Sequence, residues 1–550
     1  MTPKPKRVSS SRTSRFATAS AAALLLLTTA CSGGGSDHDN QPAVSSDDLV
    51  LSMPKATGEI DTLNWNLPGE PDTLDPANTV TYSSGPVVHT LCDGLMTVEP
   101  DFSLKPNLAT YEVKSPTEVV YTIRDDAKFW DGNPVTAEDV AYTLNRAAQP
   151  RYVLSYIFTN MKSAEASGPN EVTVTFSKPD ELFLNEMQNV GIVEKAYTER
   201  AGDKLGTASG ELMCSGPYKF ESWSPGNSLT ITRNDDYWNP DIKPLAKTVK
   251  FSFIGDATAL AQALNAGEID GAYEIPASAV PALQKSTTGN LNFGPSMQGM
   301  NLNIVTPDGP TADNDVRQAL QKVLDRDAIA KVVFNGAATP NYTVVTPATW
   351  PVAQKDIYQP AYDELTKERA YDVEAATELV DGSTYDGSPI VLAIQAGDET
   401  SSEVAQLVQQ QAKSVGLNVE IKSMQPLVFS QAGYDASKRA GVDMMLQTNF
   451  NGTADPLEPI GFDYLPGEAY NYTNYDDPTT TDLINKARQT FDDDERAKLI
   501  VEIQERYEAD AATIPIVSTN TVTFLNDAYT GAVTSFAYWS MPAFAYIGAK

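Results

Sequence analysis

Alternation of apolar and polar positions marks residues 60–67 as a strand, which Pro68-Gly69-Glu70-Pro71 breaks. β-branched alternation returns at 118–123 and 171–176. Between these runs Thr136 is placed to cap a helix. Glu138 and Asp139 complement the dipole of its first turn, and Val140, Leu144 and Ala147 recur at helical spacing. The section therefore predicts a mixed α and β unit. Further on, 228–233 and 248–254 read as strands, and 256–266 as a helix stopped by Gly267. Segments 389–396, 403–415, 417–424, 429–439 and 442–447 alternate strand, helix, strand, helix, strand, the order that builds a parallel sheet covered by helices. Helical patterns over 480–490 and 493–509 follow, then strand patterns over 513–517 and 521–525. The sequence shows no internal repeat.

The start of the chain has a different character. Five basic side chains (Lys4, Lys6, Arg7, Arg12, Arg15) and no acid precede an apolar run over 16–30, the layout of a secretion signal. That run is shorter than the roughly 20 residues a spanning helix needs. It ends Leu27-Thr28-Thr29-Ala30-Cys31, which resembles a bacterial lipobox. Cys31 is then the expected site of diacylglycerol and palmitate attachment, although Thr28 departs from the aliphatic residue preferred there. Residues 31–56 open with a Gly-rich polar run that cannot bury enough apolar surface to order itself, and are expected to act as a tether. No later segment approaches 18 consecutive apolar residues. The remainder is expected to be soluble and held on the extracytoplasmic face of a bacterial cell membrane.

Charge narrows the choice of partners. The formal net charge is −32; removing the five signal cations leaves 35 basic against 72 acidic residues, or −37. Such a surface repels nucleic acid and anionic lipid. About five hundred residues are too many for one core, so two or three packed units are expected. With Cys31 set aside, Cys92 and Cys214 form an even pair in an oxidising compartment, open to a disulfide or to two buried thiols.

Several stretches together carry a family resemblance. Phe129-Trp130-Asp131-Gly132-Asn133-Pro134-Val135-Thr136-Ala137-Glu138-Asp139-Val140, Cys214-Ser215-Gly216-Pro217-Tyr218, Asn234-Asp235-Asp236-Tyr237-Trp238 and Gly267-Glu268-Ile269-Asp270 occur in order. Asp315-Val316-Arg317-Gln318-Ala319-Leu320, Leu324-Asp325-Arg326 and Glu495-Arg496 follow. The set resembles the family 5 extracellular solute-binding proteins, which include oligopeptide- and dipeptide-binding lipoproteins of ABC transporters.

The resemblance implies an α/β, two-lobed periplasmic-binding-protein-like fold of type II. Its chain would cross between lobes near 297–303 and 515–520. The implied boundaries are a lipoprotein signal peptide at 1–30 and a tether at 31–56. Lobe I would comprise 57–89, an inserted subdomain at 90–213, and 214–298. Lobe II would comprise 299–516, with 517–550 returning to lobe I. Cys92 and Cys214 would fall at the two ends of the insertion, which favours a bridge at its base.

It also implies peptide capture in the cleft and delivery to a permease and ATPase complex, by a lipid-anchored monomer. In peptide-binding members a carboxylate shortly after the strand corresponding to 442–447 holds the ligand ammonium. Aligned on Asp455-Pro456, that position falls here on Gly452. Asn449, Phe450, Asn451 and Asp455 are the candidate contacts on this side, with Asp455 read either as an ammonium anchor or as a turn former before proline. Leu74, Asp75 and Tyr82 are the candidates from the other lobe. The late aromatics Tyr464, Tyr470, Tyr472, Tyr475, Tyr538, Trp539, Phe544 and Tyr546 are candidates for pocket walls or for core.

Other chemistry finds little support. The only histidines are His38, in the tether, and His89, which reads as a packed core residue. The sequence has no Glu-flanked His pair for zinc, no nucleophile elbow and no phosphate loop. No catalytic residue, metal or cofactor is expected. Alternatives within the binding class are an oligosaccharide, haem or metal chelate on the same fold, or a surface lipoprotein serving as chaperone or sensor.

Overall fold

The long strands Gly289–Ile304 and Thr513–Asn526 pair antiparallel along their lengths and form the spine of an eleven-stranded sheet. This computed structural model describes residues 49–550 apart from 307 and 469. The expected signal sequence, Cys31 and most of the tether therefore lie outside the described residues. The tether's expected end is not free. Val50 N–H donates to Phe293 C=O at 2.8 Å and Met53 N–H to Ala532 C=O at 2.8 Å, so ordered backbone begins earlier than its polar composition suggested.

On one side of the spine lie Met444–Phe450, then Ile390–Gln395, then Val419–Met424. The last two pair parallel, as the alternating strand and helix pattern predicted. On the other side lie Gly271–Ala272, Ile60–Asn66, Ala246–Ser252, Ser228–Arg233 and Tyr218–Ser224. The short strand Ala338–Pro340 also pairs with Thr513–Asn526. Residues 297–303 and 515–520 lie within the two spine strands, whose register slips between Gly294 and Gln298 and again between Met300 and Asn301.

Local signals explain several boundaries. Thr136 and Asp139 form a reciprocal capping box at the start of helix Ala137–Ala147. Gly267, at φ 70°, ends helix Ala257–Ala266 in the left-handed conformation that glycine adopts without penalty. The helix expected over 429–439 is instead Pro426–Ala432 followed by a 3-10 turn Ala436–Arg439. The strand patterns at 513–517 and 521–525 are parts of one continuous strand.

A separate four-stranded antiparallel sheet, in the order Ala109–Ser115, Glu118–Ile123, Glu171–Phe176 and Met161–Ala166, packs with helix Ala137–Ala147 around its own core of Val119, Tyr121, Val140, Leu144, Val172 and Val174. In the neighbouring core Cys92 and Cys214 are bonded, with Cα atoms 4.8 Å apart and a separation of 122 positions in sequence. Closing so long a loop removes much unfolded-chain entropy. A Cys92→Ser/Cys214→Ser double variant is therefore expected to lose about 2–5 kcal/mol in urea unfolding.

His89 is buried in the neighbouring core, its Nδ1 2.9 Å from the Gly85 carbonyl and its ring against Trp539. Burial lowers its pKa to about 4, so it is neutral at ordinary pH.

Candidate ligand cleft

A cavity of about 530 Å³ opens beside the spine, where the sheet meets the helix Leu457–Tyr464 and the segment around 153–156. Strand Met444–Phe450 forms one wall. It pairs with Gly289–Ile304 along its whole length but with Ile390–Gln395 only at Met444 and Met445. From Leu446 to Phe450 its far edge has no strand partner among the described residues. An edge of this kind offers backbone donors and acceptors to an extended ligand.

Of the sequence candidates, Asn449, Phe450 and Asn451 line this cavity, as does Gly452. The Phe450 ring packs among Tyr82, Phe536 and Trp539 at centroid distances of 4.7, 5.3 and 5.3 Å, which fixes the segment's course. Tyr82 stands behind that wall. Its hydroxyl donates to Gln298 Oε1 at 2.8 Å, and Gln298 Nε2 in turn donates to the Glu274 carboxylate.

The remaining candidates are placed elsewhere. Leu74 is buried in the core around Trp65. Asp75 is buried against Arg146 in a two-pronged ion pair at 2.9 and 2.6 Å, and caps the short helix Pro76–Asn78. Asp455 has both carboxylate oxygens within 2.8 Å of Arg496 Nη2, accepts from Asn185 Nδ2 at 2.8 Å, and accepts the Leu457 N–H. Its charge is committed to holding segments together, so it does not serve as a ligand anchor. Among the late aromatics Tyr470 and Trp539 line the cavity, whereas Tyr464 stacks on Tyr507 and Tyr538 on Tyr273 in the interior.

Sequence reasoning missed the carboxylates of this wall. Glu458, Asp463 and Glu468 line the cavity, and no lysine, arginine or histidine does so among the described residues. Glu458 accepts the N–H groups of Gly452 and Thr453 at 2.9 and 3.0 Å. A β-carbon added at Gly452 would sit 3.4 Å from Glu458 Oε1, so a carboxylate reaches this spot from six residues further along the chain. Burial holds the Glu458 carboxyl well above the usual range, nearby Glu186 adding to the effect. Burial also pushes Asp463 up to about 7. The signal that could have found Glu458 and Asp463 was acids in an otherwise apolar helix, Leu457-Glu458-Pro459-Ile460-Gly461-Phe462-Asp463-Tyr464.

Segment 180–189 is tied to this side of the cavity, which Asn189 lines. Gln188 Nε2 and Asn189 Nδ2 both donate to the Gly452 carbonyl at 3.2 Å. Arg488 Nε donates to Asp180 at 2.7 Å, and Arg496 Nε lies 3.0 Å from Glu181 Oε2.

Comparison with known proteins places this arrangement. Residues 103–471 match the family described as bacterial extracellular solute-binding proteins, family 5 Middle. The glutathione-binding protein GsiB of Escherichia coli K12 is 27% identical over 488 residues, covering 86% of this chain and 90% of GsiB. In fold, the chain is similar to the oligopeptide-binding protein AppA of Bacillus subtilis, solved with a nonapeptide (TM-score 0.75, 20% identity, 90% of this chain and 100% of AppA covered). It is also similar to NikA of Brucella suis, solved with Fe(III)-EDTA (TM-score 0.77, 22% identity, 89% and 100% covered). These likenesses agree with the two-lobed mixed α/β fold. The chain belongs to the bacterial extracellular solute-binding proteins of family 5, extracytoplasmic substrate-binding components of ABC transporters.

Proposed function

We propose that this protein captures short peptides in the cavity between its lobes and delivers them to an ABC permease, held at the membrane by lipid on Cys31. The reading rests chiefly on the open edge of Met444–Phe450, which faces the cavity and can pair with an extended backbone. Lobe boundaries near 298 and 516, with 90–213 inserted in lobe I, suit the two spine strands as the connection between lobes.

Two of the relatives' ligands are a poorer match. Glutathione and Fe(III)-EDTA each carry net negative charge. Either would meet Asp463 and Glu468, with no cation among the described residues of the cavity wall to offset them. A membrane-spanning role has no structural support, since among the described residues no helix is long and apolar enough to cross a bilayer.

A ligand that binds only the folded state raises its stability, by about 2.7 kcal/mol at a hundred times Kd. A pool of short peptides is thus expected to raise the melting temperature by several degrees, and the same amino acids supplied free are not. A shift produced by a chelate or oligosaccharide and not by peptides would contradict the reading.

A further inference from the structure

Where segment 180–189 meets the stretch around Gly452, acids outnumber cations. Asp180 is engaged by Arg488 Nε at 2.7 Å, and Glu181 and Asp455 share Arg496. Glu186 and Glu458 are left, 1% and 6% exposed, neither of them in an ion pair among the described residues. Both border one small cavity, which also brings Tyr156, Glu468 and Arg488 to them. Glu458 accepts the N–H groups of Gly452 and Thr453 at 2.9 and 3.0 Å. Glu186 accepts from Asn189 Nδ2 at 2.9 Å, and the same amide group donates to the Gly452 carbonyl at 3.2 Å. The second oxygen of Glu186, Oε1, is met by no donor within the protein. Gly452, on the wall of the large cavity, is thus held at its N–H by one acid and at its carbonyl by an amide that the other acid holds.

Two ionised carboxylates buried as neighbours repel each other and lack the water that would screen them, so this contact forms only when the pair holds a proton. We infer that Glu186 and Glu458 form a proton-dependent latch between the lobes: closure takes up about one proton from solvent, and losing it drives the two segments apart and opens the cavity. The inference rests on the proposed lobe boundaries, which put 186 in the inserted subdomain and 458 in lobe II, and not on which solute is captured. Burial gives the direction. It pushes Glu186 up to about 7, with Asn189, Asp455, Arg488 and Asp180 around it. It holds Glu458 well above the usual carboxylate range, with Glu186, Asp455 and the Gly452 and Thr453 N–H groups around it. Opened to water, both return to about 4.5. Between those values the closed form holds more protons than the open form. Closure is therefore favoured at low pH and lost as pH rises through the closed-form values, by about tenfold per pH unit for one proton.

The test is X-ray scattering of the soluble protein without solute, in steps from about pH 5 to pH 8. The radius of gyration is expected to rise with pH, in a step centred near about 7. Glu186→Gln keeps an oxygen to accept from Asn189 and cannot ionise, so its radius is expected to stay at the low-pH value throughout. Glu458→Gln is expected to lose the same step; if its weaker hold on Gly452 and Thr453 prevents folding, Glu186→Gln decides alone. Glu181 and Glu274 still titrate in both variants, so a step of their making would survive there. A parent radius that does not change with pH, or a step that persists in Glu186→Gln, would overturn the inference. With no solute present, the two readings fail separately. A step removed by Glu186→Gln in a protein that binds no peptide keeps the latch and ends the peptide reading, and peptide binding without any step does the reverse.

Discussion

Arg496→Leu is expected to cost about 3–5 kcal/mol of unfolding free energy, the effect of removing one partner from a buried ion network. Arg496 is buried on helix Asp493–Glu508 and is shared between Asp455, at 2.7 and 2.8 Å, and Glu181, at 3.0 Å. Its loss leaves two buried carboxylates without their shared cation. Because Arg496 joins Glu181 of segment 180–189 to Asp455, the same substitution should loosen the contact between these segments beside the cavity. Scattering should then show a larger radius of gyration than for the parent protein. The companion change Asp455→Asn removes one of the stranded charges, so the double variant should recover part of the loss, and urea unfolding of the four forms measures the coupling. A single Arg496→Leu variant as stable as the parent would show that the network does not hold this contact.

The second large effect is one of pH. Glu181 and Glu186 are pushed up to about 7, chiefly by burial; around Glu181 stand Arg496, Asp455, Asp493 and Asn185, and around Glu186 stand Asn189, Asp455, Arg488 and Asp180. Glu274, buried beside Gln298 and Tyr538, is likewise pushed up to about 7. In the unfolded chain these carboxyls return to about 4.5. Between those values the folded protein binds more protons than the unfolded one, so stability must fall as pH rises. The loss is complete only above the folded values. Each group can contribute up to about 1.4 kcal/mol per pH unit across the window, with Glu186 and its neighbours titrating together rather than singly. Urea unfolding at steps from about pH 5 to pH 8 is therefore expected to show stability declining by roughly several kcal/mol. A rise over the same interval would contradict the assignment of these acids as buried.

How far the sequence could be read depended on whether a signal was local. The cap at Thr136 and the stop at Gly267 involve neighbours within one turn, and both appear where their residue types require. The spine strand Gly289–Ile304 was not legible, because Gly294, Pro295 and Gly299 read as turns. Gly294 is there for another reason: a β-carbon would come 1.9 Å from the Thr534 carbonyl, so glycine permits close passage of another segment.

The site divides in the same way. Asn449 to Asn451 could be placed because they follow a recognisable strand. Asp75 could not be told from a ligand residue because its partner Arg146 is 71 positions away. Gly452 supplies no side chain, and the acid that approaches it comes from Glu458, on a helix whose orientation no spacing rule supplies. Tertiary pairing, not propensity, decided each of these cases.

The most direct test of solute capture is native mass spectrometry of the soluble protein, as isolated and after exposure to a pool of short peptides. The account predicts a one-to-one complex carrying a restricted set of peptides. A protein that remains empty with peptides, or that retains an acidic or uncharged solute in their place, would contradict it.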